Sequence, residues 1–468
     1  MDWQGAIWGI DIVAREAMLF AAAGILVGGI DDLAIDLIFF VQAGWRRVAR
    51  RNFPPPTLAD FPVRTCSGPM AVFIAAWDES AVIGAMLTAA LARFEYPDYR
   101  LYVGVYPNDR ETIDAVDAVA RRDARIRMVI GSTPGPTSKA DCLNTLWAAL
   151  KEDEATEGWR PKAIVLHDAE DVVHPAELAI FDGLIDRHRV VQLPVLPLVD
   201  HRSRLVSGHY CDEFAEAHGK QMVVRQTLGA GLPLAGVGCA IALDALESIA
   251  QLRGGEPFDR ASLTEDYELG LGLGGVAGRG IIARVAERPG GPVVAVRAYF
   301  PDRIDAAVRQ KARWMLGIAL AGWDRIGWGA RRDWREYWMR MRDRRAPLAV
   351  LVLAAAYLGL VSWSLALLGH SLVAAPTLPI APWTRLALTI NAALLGWRMV
   401  VRAGFTAAAY GWREACLAPP RMIVGNYIAL LAARRAITRY VATLLGRPAQ
   451  WDKTHHAFPT DLTAATAG

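Results

Sequence analysis

The sequence predicts an α/β domain with a mostly parallel central sheet, flanked by transmembrane and interfacial helices. Between residues 71 and 296, short β-like runs such as 71–76 and 163–166 alternate with helical patterns such as 80–94. This alternation is typical of parallel sheets, which bind ligands at the carboxyl ends of their strands. The hydrophobic fraction of 53% and mean hydropathy of +0.21 exceed globular averages, and the excess at both chain ends indicates membrane segments.

Length, charge and cysteine content narrow the class of protein. A chain of 468 residues accommodates a catalytic domain of roughly 250 residues plus appended segments. The 51 basic and 48 acidic residues leave a net charge of +3, so we expect no nucleic-acid partner. Five cysteines without CxxC spacing argue against a zinc site or a disulfide framework, and they fit a reducing cytoplasm.

Residues 1–45 are predicted to form an N-terminal transmembrane segment. Residues 17–30 carry no charge, and beyond Asp31 and Asp32 an apolar run resumes at 33–41, interrupted only by Asp36. About 25 apolar residues can cross a ~30 Å hydrocarbon layer, but carboxylates inside it are costly unless they face protein. Two shorter interfacial helices are the alternative. The first residues of the segment are acidic, whereas a cleavable signal peptide begins with basic residues. We therefore expect the segment to be retained in the mature protein.

A basic, proline-rich linker is predicted over residues 46–65. Arg46 and Arg47 begin a basic cluster directly after the apolar segment. Because cytoplasmic flanks of membrane helices are enriched in arginine and lysine, this side is expected to be cytoplasmic and the N-terminus to lie outside. The linker leads into a soluble domain over residues 66–302.

The second half of the chain is predicted to return to the membrane. Residues 303–345 are rich in tryptophan and arginine, which is typical of interfacial helices. A solvated charged helix is the alternative. Residues 346–410 are predicted to form two transmembrane helices, and residues 411–468 an interfacial helix and a C-terminal tail. Arg398 and Arg402 share one helix face in the second span, where they snorkel, face the catalytic domain, or hold a phosphate or glycan.

Acidic and basic residues follow the first strands of the predicted sheet. Asp78 and Glu79 come after the first strand and Asp109 after the second, at turns where such folds meet a nucleotide. Helix capping or an ordinary turn is the alternative for the two aspartates. Lys139 opens a helix after a glycine- and proline-rich loop, so it is placed either to reach a diphosphate or to remain solvated.

The strongest chemical signal is the cluster Asp168, Glu170 and Asp171, directly after an apolar strand. Three carboxylates within four residues repel one another unless a hard cation is present. Oxygen ligands suit Mg²⁺ or Mn²⁺, which also bridge diphosphate oxygens. We therefore predict a metal at Asp168 and Glu170. An acidic loop with one helix cap is the alternative.

Two further motifs suggest group transfer. Asp266, in the triplet Thr264-Glu265-Asp266, is predicted to be a general base, with a helix cap at Thr264 as the structural alternative. Gln310, Arg313 and Trp314 have i, i+3 and i+4 spacing and share one side of a helix. The indole can stack on a sugar and the guanidinium can bind phosphate, although interfacial amphipathicity also produces this pattern.

Taken together, these motifs resemble the family-2 glycosyltransferases of the cellulose synthase and hyaluronan synthase type. The resemblance implies a GT-A-type nucleotide-sugar-binding domain and inversion at the anomeric carbon. It assigns nucleotide-sugar binding, metal binding and catalysis to three groups of residues. These are, respectively, Asp78, Glu79, Asp109, Lys139 and Asp168; Asp168 and Glu170; and Glu265, Asp266, Gln310, Arg313 and Trp314.

The flanking sequence is similar to the NfrB group of inner-membrane transferases linked to exopolysaccharide secretion and phage adsorption. The similarity includes residues 167–171, 233–238 and 451–454. It implies that Gly236 and Gly238 line an acceptor cleft together with Trp314, with tight packing as the alternative. Glu170 stands at the position where these relatives more commonly have the second aspartate of the acidic motif. The chain ends soon after His456 without the cyclic-di-GMP-binding domain of longer relatives, so we do not expect regulation by that nucleotide.

The resulting functional hypothesis is a multi-pass enzyme of the bacterial inner membrane with a cytoplasmic catalytic domain. It is expected to transfer a sugar from a UDP-sugar to a growing exopolysaccharide, with Mg²⁺ or Mn²⁺ as cofactor. The expected partners are the donor, a glycan acceptor, the lipid membrane and an export partner or a second copy of the chain. The alternatives are a nonprocessive enzyme acting on a lipid or protein, and a catalytically silent membrane scaffold or phage-receptor component.

Overall fold

The computed structural model of the chain describes residues 3–49, 55–63, 67–276, 278–329, 332–373, 376–377, 379–446 and 456–459. Parts of the predicted linker, at 50–54 and 64–65, the first residue of the predicted soluble domain, at 66, and the motif at 451–454 lie outside the described residues. The strands are β1 (Met70–Ala75), β2 (Tyr99–Val105), β3 (Ile126–Ile130), β4 (Ala163–His167), β5 (Val190–Gln192), β6 (Cys239–Ala242) and β7 (Ile281–Ile282).

These strands form one seven-stranded sheet in the order β3-β2-β1-β4-β6-β5-β7. The pairs β1–β2, β2–β3, β1–β4 and β5–β7 are parallel, whereas β6 runs antiparallel to β4 and β5. The prediction of a mostly parallel sheet is therefore confirmed. The predicted strand at 190–195 ends early at Gln192, because Pro194 has no N–H group to continue a ladder.

Helices surround the sheet and continue beyond it. They are α1 (Trp3–Ala49), α2 (Ile83–Arg93), α3 (Arg110–Ala120), α4 (Lys139–Glu157), α5 (Glu177–Ile185), α6 (Gly208–Glu216), α7 (Met222–Leu228), α8 (Leu243–Leu252), α9 (Glu265–Val276), α10 (Ile304–Trp314), α11 (Gly322–Ile326), α12 (Trp334–Arg344), α13 (Ala346–Leu372), α14 (Pro382–Tyr410), α15 (Trp412–Ala415) and α16 (Ala418–Leu444). Two π-helical segments, Ala217–Gln221 and Met315–Ala321, follow α6 and α10.

The core of the sheet domain lies between the sheet and its neighbouring helices. The apolar runs that predict strands are buried here, and β1 and β4 are buried almost along their whole length. Ser138 caps α4 by accepting a hydrogen bond from the Asp141 N–H, and Gly158 ends this helix in a left-handed conformation. Ser138 thus fixes the loop after β3 at the carboxyl edge of the sheet, whereas Gly158 turns the chain into β4 at the opposite edge.

Two helices in the described part of the chain, α13 and α14, are long and apolar enough to cross a membrane. The 47-residue α1 is not one of these two, but it packs alongside α13 at close range. A Cβ at Gly24 would meet Val352 at 2.5 Å, and one at Gly359 would meet the Met18 backbone at 3.2 Å. Small residues therefore allow the two helices to approach closely.

The acidic residues of α1 face protein. Asp31 pairs with Arg342 and Arg345, and its Oδ2 lies 2.6 Å from the Arg345 guanidinium. Asp32 pairs with Arg398 at 2.8 Å. These contacts join α1 to α12, α13 and α14, and they remove the cost that isolated carboxylates would carry in an apolar layer.

Arg398 and Arg402 are also engaged within the protein. Arg398 binds Asp32, and Arg402 donates to Glu216 of α6 at 2.9 Å. In this arrangement their guanidinium groups serve as links between helices. Of the roles considered from the sequence, facing the catalytic domain fits Arg402, which contacts α6. Neither snorkelling nor phosphate binding is needed to account for the two arginines.

Candidate active site

A cavity of about 1020 Å³ lies at the carboxyl edge of the sheet. Its walls come from the loops after β1 and β4, from the start of α9, from α10 and from residues 456–459. Most of the residues singled out from the sequence converge on it. The lining includes Glu79, Lys139, Asp168, Glu170, Glu265, Asp266, Gln310, Arg313 and Trp314.

A buried histidine shapes the acidic loop after β4. His167 Nδ1 lies 2.8 Å from Asp171 Oδ2, and its Nε2 lies 2.7 Å from Glu177 Oε1. Burial alone would lower the pKa of His167, but the two carboxylates raise it to about 10. Asp171 also accepts a hydrogen bond from the Asp168 N–H at 3.0 Å. Asp171 therefore holds the loop in shape and is occupied within the protein.

Asp168 forms an ion pair with Lys139. Burial opposes ionisation of Asp168, yet the charge of Lys139 and its hydrogen bond lower the pKa of this carboxyl below its usual value. Lys139 Nζ also lies 3.9 Å from Glu265 Oε1. The three carboxylates of the predicted cluster thus have different surroundings. Asp168 pairs with Lys139 and Asp171 contacts His167, whereas Glu170 forms an ion pair with neither of these two residues.

Glu170 belongs to a different group of potential ligands. Glu79, Glu170 and His456 each offer one ligand atom, and these atoms lie within 4.8 Å of one another. His456 Nδ1 lies 2.9 Å from Glu79 Oε1 and 3.3 Å from Glu170 Oε2. Asp168, which the sequence suggested as a ligand beside Glu170, is not in this group. Its ion pair with Lys139 accounts for the difference.

The donor set fits a divalent cation. Two carboxylates and an imidazole are ligands that Mn²⁺ accepts, and the carboxylates also suit Mg²⁺. Glu170 Oε2 is buried and makes no hydrogen bond to any described residue. Burial raises the pKa of Glu170 to about 8, with support from the neighbouring carboxylates and against the effect of His456. A cation at this position would neutralise the repulsion among the neighbouring carboxylates.

Asp266, the second residue of α9, lies against Gly236. A Cβ at position 236 would be 2.7 Å from Asp266 Oδ2, and Gly236 has a φ of +75°. Glycine is required on both counts, since side chains disfavour this conformation and none fits the space. Burial, followed by the charge of Glu265, raises the pKa of Asp266 to about 7, although Lys139 and Arg313 oppose the rise. Such a carboxyl suits a general base near neutral pH.

Gln310 and Arg313 face the cavity from α10. Gln310 Oε1 and Arg313 Nε are buried atoms with no hydrogen-bond partner among the described residues. Trp314, at the end of α10, has its ring 6.1 Å from that of Tyr210 in an edge-to-face arrangement. The site therefore presents unpartnered polar atoms beside an aromatic surface, which suits a ligand with polar groups and a sugar ring.

Comparison with known proteins identifies the family of this site. A profile of the family described as "Glycosyltransferase like family 2" matches residues 68–317. The chain belongs to this glycosyltransferase family. The resemblance inferred from the motifs is therefore confirmed, and the matched residues contain the acidic loop, Asp266 and the Gln310–Trp314 motif.

Two curated relatives of this glycosyltransferase are phage adsorption proteins. Bacteriophage adsorption protein B of Escherichia coli (strain K12) and bacteriophage N4 adsorption protein B of Escherichia coli O157:H7 are each 33% identical over 483 residues. The alignments cover 98% of this chain and 64% of each relative. The chain thus spans about two-thirds of the length of these relatives.

A solved structure confirms the fold class. The mannosyltransferase PcManGT from Pyrobaculum calidifontis, in complex with GDP-Man and Mn²⁺, is similar with a TM-score of 0.50. The similarity covers 92% of this chain and 99% of that chain at 18% sequence identity. The GT-A-type architecture predicted for this glycosyltransferase is therefore present.

Two aspartates of this glycosyltransferase lie elsewhere than the sequence suggested. Asp109 caps α3 by accepting from the Thr112 N–H at 3.3 Å, and it also accepts from the Asp78 N–H. Asp78 is exposed and does not cap α2, which begins later, at Ile83. Neither aspartate is among the residues that line the cavity. Together they brace the turn that presents Glu79.

Gly238 is a packing position in this glycosyltransferase. Its φ is +56°, and a Cβ there would lie 2.3 Å from Val296 Cγ2. The backbone of Gly238 also donates to Leu166 and accepts from Leu193, each at 2.9 Å. Tight packing therefore describes Gly238 better than acceptor contact, whereas Gly236 adjoins Asp266.

The residue that sequence reasoning missed is His456. It lies 377 positions after Glu79, so no local spacing links the two side chains. The available signal was the similarity at 451–454, which marks the segment just before it. Only the folded chain brings this histidine to the acidic loop.

Proposed function

We propose that the protein is a membrane-embedded inverting glycosyltransferase that transfers a sugar from a UDP-sugar to a growing exopolysaccharide. One observation carries the proposal. Asp266, whose pKa is raised to about 7, lines the same cavity as Glu79, Glu170 and His456, the group that could hold a metal ion. A base and a diphosphate site are the two elements that inverting transfer needs in one cavity.

The donor diphosphate is assigned to the side of the cavity that holds the potential metal ligands. Glu79, Glu170 and His456 would hold Mg²⁺ or Mn²⁺, which supplies positive charge to the leaving diphosphate. Lys139 is paired with Asp168, and its remaining N–H groups can donate to the diphosphate. Arg313, whose Nε has no hydrogen-bond partner among the described residues, provides further positive charge. Arginine suits this role because its planar donors match phosphate oxygens.

The chemical step uses Asp266 as base. The acceptor hydroxyl gives its proton to the Asp266 carboxylate while its oxygen forms a bond to the anomeric carbon. The bond from that carbon to the diphosphate oxygen breaks, and the nucleoside diphosphate leaves with the electron pair. Attack from the face opposite the leaving group inverts the configuration in one step. Gln310, Arg313 and Trp314 are proposed to orient the diphosphate and the acceptor sugar.

We propose that α1, α13 and α14 lie in the bacterial inner membrane with the sheet domain in the cytoplasm. The apolar length of α13 and α14 and the arginines just before α13 support this orientation. On the same basis, residues 303–345 and the helix α16 are assigned to the membrane surface. An export partner or a second copy of the chain is proposed to extend the product path.

The names of the curated relatives suggest a second candidate, a phage-receptor component with an inactive transferase fold. Purified protein in nanodiscs with Mg²⁺ or Mn²⁺ and a panel of UDP-sugars distinguishes the two. UDP release is expected from the wild type and not from Asp266→Asn. Asp259→Asn is the control, since Asp259 pairs with Arg325 and does not line the cavity. Equal release by wild type and Asp266→Asn would contradict the mechanism, and no release from any donor would contradict the enzymatic function.

A further inference from the structure

A second cavity, of about 550 Å³, adjoins the active site on the side of the apolar helices. Trp314, Ile318 and Asp343 line both cavities, so the two spaces are separated by little more than the end of α10 and the π-helical segment after it. The other walls of the second cavity come from α6, α13, α14 and α16. A ligand in this cavity would therefore lie next to the proposed acceptor position at Trp314.

Two buried polar side chains of the second cavity have atoms without partners. His209 is 2% exposed and Asp212 is 1% exposed. His209 Nε2 and Asp212 Oδ2 make no hydrogen bond to any residue that the structure describes. Burial, with help from Lys311, lowers the pKa of His209 to about 4, so its ring is neutral. Buried polar atoms of this kind are normally satisfied, which points to a polar ligand.

The charges around the second cavity are balanced by ion pairs. Lys311 binds Glu213 at 2.7 Å, and Arg402 binds Glu216 at 2.9 Å. Arg421 pairs with Asp212 at 3.1 Å. Since these cations already have carboxylate partners, the cavity suits hydroxyl groups better than a polyphosphate. A saccharide satisfies this requirement, because each hydroxyl both donates and accepts.

One wall of the second cavity is apolar and belongs to α13. Ala346, Ala349, Val350 and Leu353 form this wall, which covers only the first two turns of the helix, or about 10 Å at 1.5 Å per residue. A path across the hydrocarbon layer would need about 30 Å. On the same two turns, Leu348 and Leu351 are more than half exposed. The cavity thus reaches only leaflet depth, and a single helix separates it from the lipid-facing side.

We propose that the second cavity binds the saccharide of a lipid-linked glycan, which enters from the cytoplasmic leaflet and serves as the acceptor. This inference rests on the proposed function. The terminal hydroxyl of this glycan passes Trp314, gives its proton to Asp266 and bonds to the anomeric carbon of the donor, and the nucleoside diphosphate leaves with the electron pair. The lipid remains beside α13, where the apolar wall contacts the first carbons of the chain.

Gly425 of α16 allows the second cavity to be filled without touching the active site. It lines the cavity, and a Cβ there would lie 3.6 Å from His209 Cδ2, which is ordinary contact. Gly425→Ala should therefore be tolerated, whereas the larger side chain of Gly425→Leu should occupy the space. Gly404→Leu is the matched control, because Gly404 is exposed on α14 and a Cβ there meets no atom within 4 Å in the part of the chain that the structure describes.

The experiment uses the full chain in nanodiscs made with a bacterial total lipid extract, with radiolabelled UDP-sugars and Mn²⁺. We measure UDP release and the partition of label between a chloroform–methanol phase and water. Label is expected in the organic phase for the wild type, Gly425→Ala and Gly404→Leu. For Gly425→Leu, the label in the organic phase is expected to be at least tenfold lower than for the wild type. Its affinity for UDP is expected to stay within about twofold of the wild-type value.

The possible failures are distinguishable. UDP release that depends on Asp266, with label in water-soluble or polymeric product and none in lipid, would overturn the lipid-linked acceptor alone. The same conclusion would follow if Gly425→Leu transferred label to lipid as fast as Gly425→Ala. Absence of UDP release from every donor would instead overturn the proposed function, and this inference with it.

Discussion

His456 Nδ1 lies 2.9 Å from Glu79 Oε1, although the two residues are 377 positions apart. The contact brings a segment near the end of the chain to the turn after the first strand of the sheet. Phe458 packs on the same side, against Val172, Leu198 and Tyr299. The potential metal group is therefore complete only when residues 456–459 are in place over the acidic loop.

His456→Ala is expected to weaken Mn²⁺ binding. The substitution removes the imidazole from a group of three potential ligands, and a loss of about 10–100-fold in metal affinity or activity is typical even for residues that support a ligand. Calorimetric titration of the full protein with Mn²⁺ measures the affinity. His188→Ala is the control, because His188 lies outside the cavity. An unchanged Mn²⁺ affinity in His456→Ala would exclude this histidine as a ligand.

Gly236→Ala is expected to abolish transfer with only a modest loss of stability. The new Cβ would lie 2.7 Å from Asp266 Oδ2, so the base must move from its position. The left-handed conformation itself costs about 1–2 kcal/mol for a residue with a side chain. We expect UDP release to fall at least 100-fold, measured with saturating donor.

Gly254→Ala separates these two effects. Gly254 has a φ of +79°, and a Cβ there meets no atom of the described residues within 4 Å. The backbone cost should thus be similar at both positions, whereas activity should persist only in Gly254→Ala. Comparable activity in the two variants would mean that Asp266 does not need its position beside Gly236.

The sheet could be predicted from the sequence because its signals are local. The run from Met70 to Ala75 is apolar throughout, and Ser138 marks the start of a helix by its capping chemistry. The early end of β5 at Gln192 depends on Pro194 and also has a local cause. Such features depend on neighbouring residues, so pattern and composition are sufficient to find them.

The division of roles among the acidic residues could not be predicted in the same way. Asp168 and Glu170 are two positions apart, yet one pairs with Lys139 and the other approaches His456. Asp109 has the sequence context of a ligand but caps a helix. Which partner each carboxylate meets is decided by the packing of distant segments, and a single sequence does not record it.

His167→Ala is expected to destabilise the sheet domain. His167 is fully buried between Asp171 and Glu177, and its pKa is raised to about 10. Removing the imidazolium leaves two buried carboxylates without their cationic partner, a change that typically costs about 3–5 kcal/mol. A fall in the unfolding temperature, followed by circular dichroism in detergent, measures the effect, with the partly exposed His188→Ala as control.

The same histidine predicts a pH dependence of stability. Because folding raises the pKa of His167 from about 6.5 to about 10, its contribution is complete below pH 6.5 and is lost as the pH rises through 10. The difference in unfolding temperature between wild type and His167→Ala should therefore shrink between pH 8 and 10.5. A difference that stays constant over this range would show that the imidazole acts by packing and not by charge.

The rate of transfer is expected to rise with pH through about 7. Asp266 accepts a proton in the chemical step, so only its ionised form is active. Burial and the charge of Glu265 raise its pKa to about 7. Below that value kcat/KM should fall about tenfold for each pH unit, since the active fraction falls in proportion. Initial rates of UDP release between pH 5.5 and 8.5, at a fixed concentration of free Mn²⁺, measure the profile.

Glu265→Gln provides an internal check on this profile. Glu265 is the first neighbouring charge that raises the pKa of Asp266, so removing it should move the acidic limb of the profile to lower pH. Glu268→Gln is the control, because Glu268 is paired with Arg325 and does not line the cavity. If the acidic limb of the kcat/KM profile has the same midpoint in Glu265→Gln as in the wild type, or if the profile is flat below pH 7, another group is the base.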